Sequence, residues 1–386
     1  MNRFLVGALA LALGAIPASA QSLDDLNIQI HGYATQGFLY TTQNNIFTTS
    51  SSNGSPAWTE AVLNVGAQPT SKLRVGVQTR YFLLGNYGNS LTLDWAAADY
   101  KANDKFGVRF GKVKTPSGLL NETQDIDPSY MWSLLPQGNY PIVSRNSVLA
   151  HYGGVVYGTF SLGQSLGKLE YRGWGGERVI GEDDGYFVSQ REEGIDLPNG
   201  LSGTTLGGAI HWRTPIQGLM LGASDIKDMR WDSPLTAGGG ALTGSEIINP
   251  LNELDYFGRY EKDKWMVAAE WSRLPVAGEI ALTGAPVDHI SLDQRAWFGM
   301  ASYKLTDKLT AGLYDSQSFD HSSSLGPGRY SKDWAISGRY DFNEFLYAKA
   351  EEHIIDGTEL GYDTTLNPGG LKPNTRMTIL KLGVSF

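Results

Sequence analysis

The sequence predicts an all-β fold: a transmembrane antiparallel up-and-down β-barrel of about 16 strands, with a long third loop folded into its lumen. Three observations lead there. Short segments of alternating apolar and polar residues recur along almost the whole chain, separated by turn-forming residues. The connections fall into two kinds in alternation, short near 70, 104, 165, 216, 263, 307 and 343, and longer near 48, 87, 130, 189, 240, 284, 325 and 364. One stretch, 112–146, keeps neither a period of 2 nor one of 3.6, and an interruption of that length inside a β chain usually has a function.

At the N-terminus, Asn2 and Arg3 precede an apolar run, 4–16, and the small residues Ala18, Ser19 and Ala20. This is the pattern of a secretory signal peptide. Its apolar run is too short for the roughly 20 residues a spanning helix needs. Cleavage after Ala20 is expected, which leaves one domain, 21–386. The net charge of −9 becomes −10 once Arg3 is lost, an argument against nucleic acid as a partner. There is no cysteine, so backbone pairing and packing must hold an exported chain together.

Strands are expected at 26–40, 58–67, 73–83, 91–100, 106–111, 148–160, 169–174 and 205–213, then at 219–227, 254–261, from 265, 295–305, 309–317, 333–342, 345–354 and 376–386. The third is the clearest. Leu73, Val75, Val77, Thr79, Tyr81 and Leu83 alternate with Arg74, Gly76, Gln78 and Arg80, an aliphatic outer face against a wet, basic inner one. In the fifth, Phe106, Val108 and Phe110 face out and Arg109 in, while a bulge at Gly111 would exchange which of Lys112 and Val113 looks inward. The last segment sets Leu380, Leu382, Val384 and Phe386 against Lys381, Gly383 and Ser385. It suits a strand that closes the sheet, because an open edge in hydrocarbon leaves polar groups without partners. An even strand number puts both termini on the short-turn side. A soluble exported β protein is the alternative that the strand count opposes.

The signal peptide, the strand count, the terminal Phe386 and the segment Phe106-Gly-Val-Arg-Phe-Gly-Lys-Val-Lys-Thr-Pro-Ser-Gly-Leu119 together resemble the bacterial outer-membrane porins of the general and phosphate-selective type. The resemblance implies a water-filled channel in the outer membrane for passive diffusion of small hydrophilic solutes or ions. It also implies a homotrimer in outer-membrane lipid, and Phe386 as the signal read by the barrel-assembly machinery. The third loop would constrict the pore, with Arg74, Arg80 and Arg109 on the wall, Lys112 and Lys114 where the loop begins, and Glu122, Asp125, Asp127 and Arg145 on the loop. Opposed charge rows would set up a transverse field that favours polar solutes. The Pro-Glu-Phe-Gly-Gly element of many general porins is absent, as is a dense arginine ladder.

No cofactor and no metal are expected. The six histidines are scattered with no His-Glu-x-x-His arrangement, and neither Glu182, Asp183 and Asp184 nor Asp125 with Asp127 has the spaced ligands of a calcium loop. No nucleophile motif appears, so the chain is not expected to be an enzyme. A barrel hydrolase drawing Ser, His and Asp from separate strands, and a structural or adhesive barrel with a plugged lumen, remain as alternatives.

Overall fold

The computed structural model describes residues 26–181, 184–324, 326–359, 361–362 and 364–386. The expected signal peptide, 1–20, and Glu182 and Asp183 lie outside the described residues.

Sixteen antiparallel strands close into a barrel. They are β1 (Gln29–Thr41), β2 (Ser55–Ala67), β3 (Leu73–Leu84), β4 (Tyr87–Asn103), β5 (Phe106–Lys114), β6 (Ala150–Ser161), β7 (Lys168–Ile180), β9 (Leu201–Arg213), β10 (Leu219–Asp228), β13 (Leu251–Lys262), β14 (Trp265–Leu282), β15 (Asp288–Lys304), β16 (Leu309–Asp320), β17 (Tyr330–Asp341), β18 (Leu346–Gly357) and β19 (Asn374–Ser385). Each corresponds to one of the sixteen expected segments. The sheet closes through β1 and β19, in register from Tyr33 opposite Ser385 to Thr41 opposite Met377. Phe386 extends the seam by exchanging both backbone hydrogen bonds with Gly32 at 3.0 Å. The outward residues are the exposed apolar ones the alternation required, among them Val77, Phe110, Ile210, Ile336, Leu380 and Leu382.

Three further strands were not expected. The hairpin of β11 (Trp231–Ala237) and β12 (Leu242–Ile248) stands on the long-loop side, pairs with the upper part of β14, and touches the two-residue β8 (Ile195–Asp196). Trp231, Leu235 and Ile248 bury themselves there against Phe187 of a helix, Gly185–Glu192, whose first turn is capped by Asp184. Asp184 therefore serves a helix end, and burial pushes its carboxyl above the usual range.

Connection lengths differ from expectation in two places. Near 87 the longer connection is a two-residue turn, Gly85 and Asn86, because β4 begins at Tyr87, which is buried with Phe47, Trp58 and Leu84. Gly85 has φ 59°, and a Cβ there would sit 2.3 Å from the carbonyl oxygen of Phe47. Near 284 the link shortens to 283–287, since β14 and β15 run 18 and 17 residues.

The irregular stretch is 115–149, three residues later than expected at both ends. β5 continues through Gly111 without a register shift against β4 or β6. No bulge occurs there. Val113 faces in and is buried beside Val155 and Trp174. Lys112 shares the outer face with Phe110 and is the one expected constriction residue that turns away from the lumen. Its ammonium lies 5.5 Å from the Tyr152 ring centroid and donates to the Leu93 carbonyl at 2.5 Å. A long stem lets a lysine satisfy its charge this way on an apolar wall.

Candidate functional site

The interior is organised by the 115–149 loop, which touches the barrel wall on both sides. Its acceptors and backbone amides are matched to inward side chains of the strands. A register shift in β4 between the partners of Gln78 and Thr79 puts two successive side chains, Asp94 and Trp95, on the inner face. Asp94 uses that position to accept both arms of Arg145, at 2.9 and 2.8 Å, from the short helix Arg145–Leu149. Such a two-pronged pair fixes orientation as well as distance. Beside it Arg80 donates to Glu60 at 2.6 Å and stacks on the Phe82 ring at 3.7 Å.

Lower in the barrel Arg109 bridges wall and loop, donating to Asp99 at 3.1 Å and to Glu122 at 2.8 Å. Arg172 of β7 reaches the other Glu122 oxygen at 3.3 Å. Lys114, the last residue of β5, donates to Asp125 at 2.7 Å and to the Glu122 carbonyl at 2.9 Å. Asp125 also accepts from Gln78 at 2.7 Å, and its backbone oxygen accepts from the Tyr33 hydroxyl.

Asp127 is held most heavily. Lys381 donates to it at 2.6 Å and the Tyr347 hydroxyl at 2.7 Å, while the Lys349 ammonium lies 2.9 Å from its carboxylate. Burial opposes ionisation of this carboxyl. The two ammonium groups and their hydrogen bonds outweigh it and keep the group well below the usual carboxylate range.

The far side of the loop is fastened to the opposite wall. Glu270 accepts from the Leu119 amide at 2.9 Å and the Tyr140 hydroxyl at 2.5 Å, and Glu351 accepts from the amides of Ser133 and Leu134. His353 bridges Glu351 and Asp333. Arg339 donates to the carbonyls of Pro128 and Tyr130. Between these contacts Leu120, Met131, Trp132 and Tyr140 pack on Phe298, Met300 and Tyr314 of the wall. The loop thus contributes an apolar core inside the barrel, anchored by charge at its margins.

The expected site residues therefore come together around one loop, Lys112 and Arg74 excepted. Their relation differs from two rows facing each other across water: Arg109 with Glu122, Lys114 with Asp125, and Arg145 with Asp94 meet in direct contact. Arg74 faces the lumen but stands apart from the loop. It lines a cavity of about 340 Å³ at the short-turn end, with Trp95, Asp99, Arg109 and Lys114. Sequence reasoning missed Lys349 and Lys381 as partners of Asp127, and Asp94, Arg172, Glu270 and Glu351. Alternation had placed Lys381 on an inner face. Which loop residue each would meet depends on strands far apart in sequence.

No family model and no curated protein matches the chain. Solved structures do. OmpF of Salmonella typhi, in complex with daunomycin, aligns at TM-score 0.58 and 13% identity over 95% of this chain and 99% of its own. The anion-selective porin from Comamonas acidovorans aligns at 0.57 and 9% over 93% and 99%. The outer membrane channel DcaP of Acinetobacter baumannii aligns at 0.53 and 12% over 95% and 99%. The chain has the bacterial porin fold.

Proposed function

We propose that this chain is an outer-membrane channel for the passive diffusion of small polar or charged solutes, exported by a signal peptide cleaved after Ala20. One observation carries the reading: a long loop after the fifth strand is tied into the lumen by ion pairs while a cavity lined by charged and apolar side chains stays open beside it. Wall charges at that cavity, two of them paired with the loop, act on a solute at short range and in a partly dry setting, which rewards dipoles and charges over apolar molecules. Arg74, Arg80, Arg109, Lys114, Glu122, Asp125, Asp127 and Arg145 form or support the constriction in this reading. Lys112 does not. The chain assembles as a homotrimer in outer-membrane lipid, with Phe386 read by the assembly machinery, and native mass measurement checks the first of these. Planar-bilayer conductance with a panel of ions and sugars is the test of the channel. A silent bilayer would overturn it.

The apolar packing of Leu120, Met131, Trp132 and Tyr140 inside the wall favours a second reading, a barrel plugged by its own loop. In that case the intact protein is silent and only a loop-shortened variant conducts. The channel reading treats the protein as non-enzymatic, so purified protein should hydrolyse neither ester nor peptide substrates. Turnover abolished by a point substitution would establish a barrel hydrolase instead.

A further inference from the structure

Among the described residues that line the cavity at the short-turn end, one cation is held by no side-chain hydrogen bond or ion pair. Three basic side chains line it, Arg74, Arg109 and Lys114, against one acidic side chain, Asp99. Arg109 is committed to Asp99 and Glu122, and Lys114 to Asp125. Arg74 lies opposite Asp99 in the β3–β4 register, yet Asp99 accepts from Arg109 and, at 2.5 Å, from the Tyr157 hydroxyl. Among the described residues, the Arg74 guanidinium makes no hydrogen bond or ion pair, though its charge acts on the Tyr157 hydroxyl, and Arg74 is exposed and lines the cavity. The remaining walls include the half-buried Trp95 and Ala97. A free planar guanidinium beside an aromatic and an aliphatic surface, in about 340 Å³, matches a small molecule with one carboxylate and one compact apolar part.

We propose that this cavity binds small organic carboxylates bearing an aromatic or aliphatic group. Arg74 takes the carboxylate through paired N–H donors, and Trp95 and Ala97 receive the apolar part. Neutral analogues lose the charge-assisted bonds. Inorganic anions gain nothing from the apolar wall. The proposal deepens the channel reading by naming a solute class, but the site is tested without conduction.

Titration calorimetry on the full chain refolded in detergent uses benzoate, benzamide and inorganic phosphate. Benzoate should bind at least about tenfold more tightly than benzamide or phosphate, the size expected for a charge-assisted pair supported by apolar contact. Arg74→Ala should weaken benzoate about tenfold and leave benzamide unchanged, and Arg74→Lys should recover part of the loss. Equal binding of benzamide or of phosphate, no benzoate binding, or an Arg74→Ala protein that binds benzoate normally would each overturn the proposal. Both variants are checked for the folded barrel by heat-modifiable migration. Arg74 carries no contact whose loss would unfold the wall. Benzoate binding with a silent bilayer would keep the site and remove the channel; conduction without benzoate binding would do the reverse.

Discussion

Asp127 shows how a single carboxylate can set the position of a loop. It is buried, and both Lys349 and Lys381 reach it from neighbouring strands. Replacing it by Asn leaves two buried ammonium groups without a counter-charge, and breaking a buried pair in this way costs about 3–5 kcal/mol. Asp127→Asn should therefore lower the denaturant midpoint of the refolded barrel clearly, whereas a substitution at exposed Glu344 should not. The pH sign follows from the same contacts. Because the folded carboxyl is depressed, its stabilisation is complete above its unfolded value near 3.9 and is lost only as pH falls below that value towards the lower folded one. Protease accessibility of the loop should stay flat from pH 7 to pH 5 and rise only below about pH 4. Arg109 belongs to the opposite case, a partly exposed bridge between Asp99 and Glu122. Arg109→Ala should shift ion selectivity toward cations in a bilayer, with only a small change in stability, since exposed pairs contribute about 0–1 kcal/mol.

At the scale of elements, alternation and turn residues together were sufficient to find all sixteen barrel strands, because one face meets lipid and the other does not. It failed where that contrast ends. The β11–β12 hairpin lies beyond the barrel strands and is held by Trp231, Leu235 and Ile248 packing on the Gly185–Glu192 helix, a contact with no periodic trace in either segment. The end of β5 was misjudged because Gly111 reads as a breaker. Here it has φ 132°, and a Cβ would meet the Ala96 carbonyl oxygen at 2.2 Å, so glycine permits the strand to pass rather than stop. Gly111→Val should block refolding, seen as loss of heat-modifiable migration. The loop is anchored on both walls, so excising 115–140 should raise single-channel conductance several-fold if the lumen conducts, as the reduced obstruction requires.

The whole molecule depends on closure. β1 and β19 are the two ends of the chain's sheet, and Phe386 completes their ladder through Gly32. Without that seam, both edges would expose unpaired backbone to hydrocarbon. Deleting Phe386 should lower the amount of barrel recovered in the outer membrane while leaving the conductance of correctly refolded protein unchanged. Of the candidate site, the sequence showed the inventory of charges and their position after the fifth strand. It did not show that they close into pairs, because Asp127 finds Lys349 and Lys381 more than 200 residues away only after the sheet has curled on itself.

Period-2 alternation, turn residues and the absence of long apolar runs determined the class, the strand number and the place of the long loop. These are local properties, each set by whether a side chain meets lipid, water or a turn. Only the tertiary structure decided which charges are consumed by the fold and which is left over. Lys112 turned outward because the register runs unbroken through Gly111, Asp127 was neutralised by strands brought round by closure, and Arg74 was left facing an open cavity. A charge is free or paired according to its neighbours in space, and in a barrel those neighbours are fixed only when the last strand joins the first.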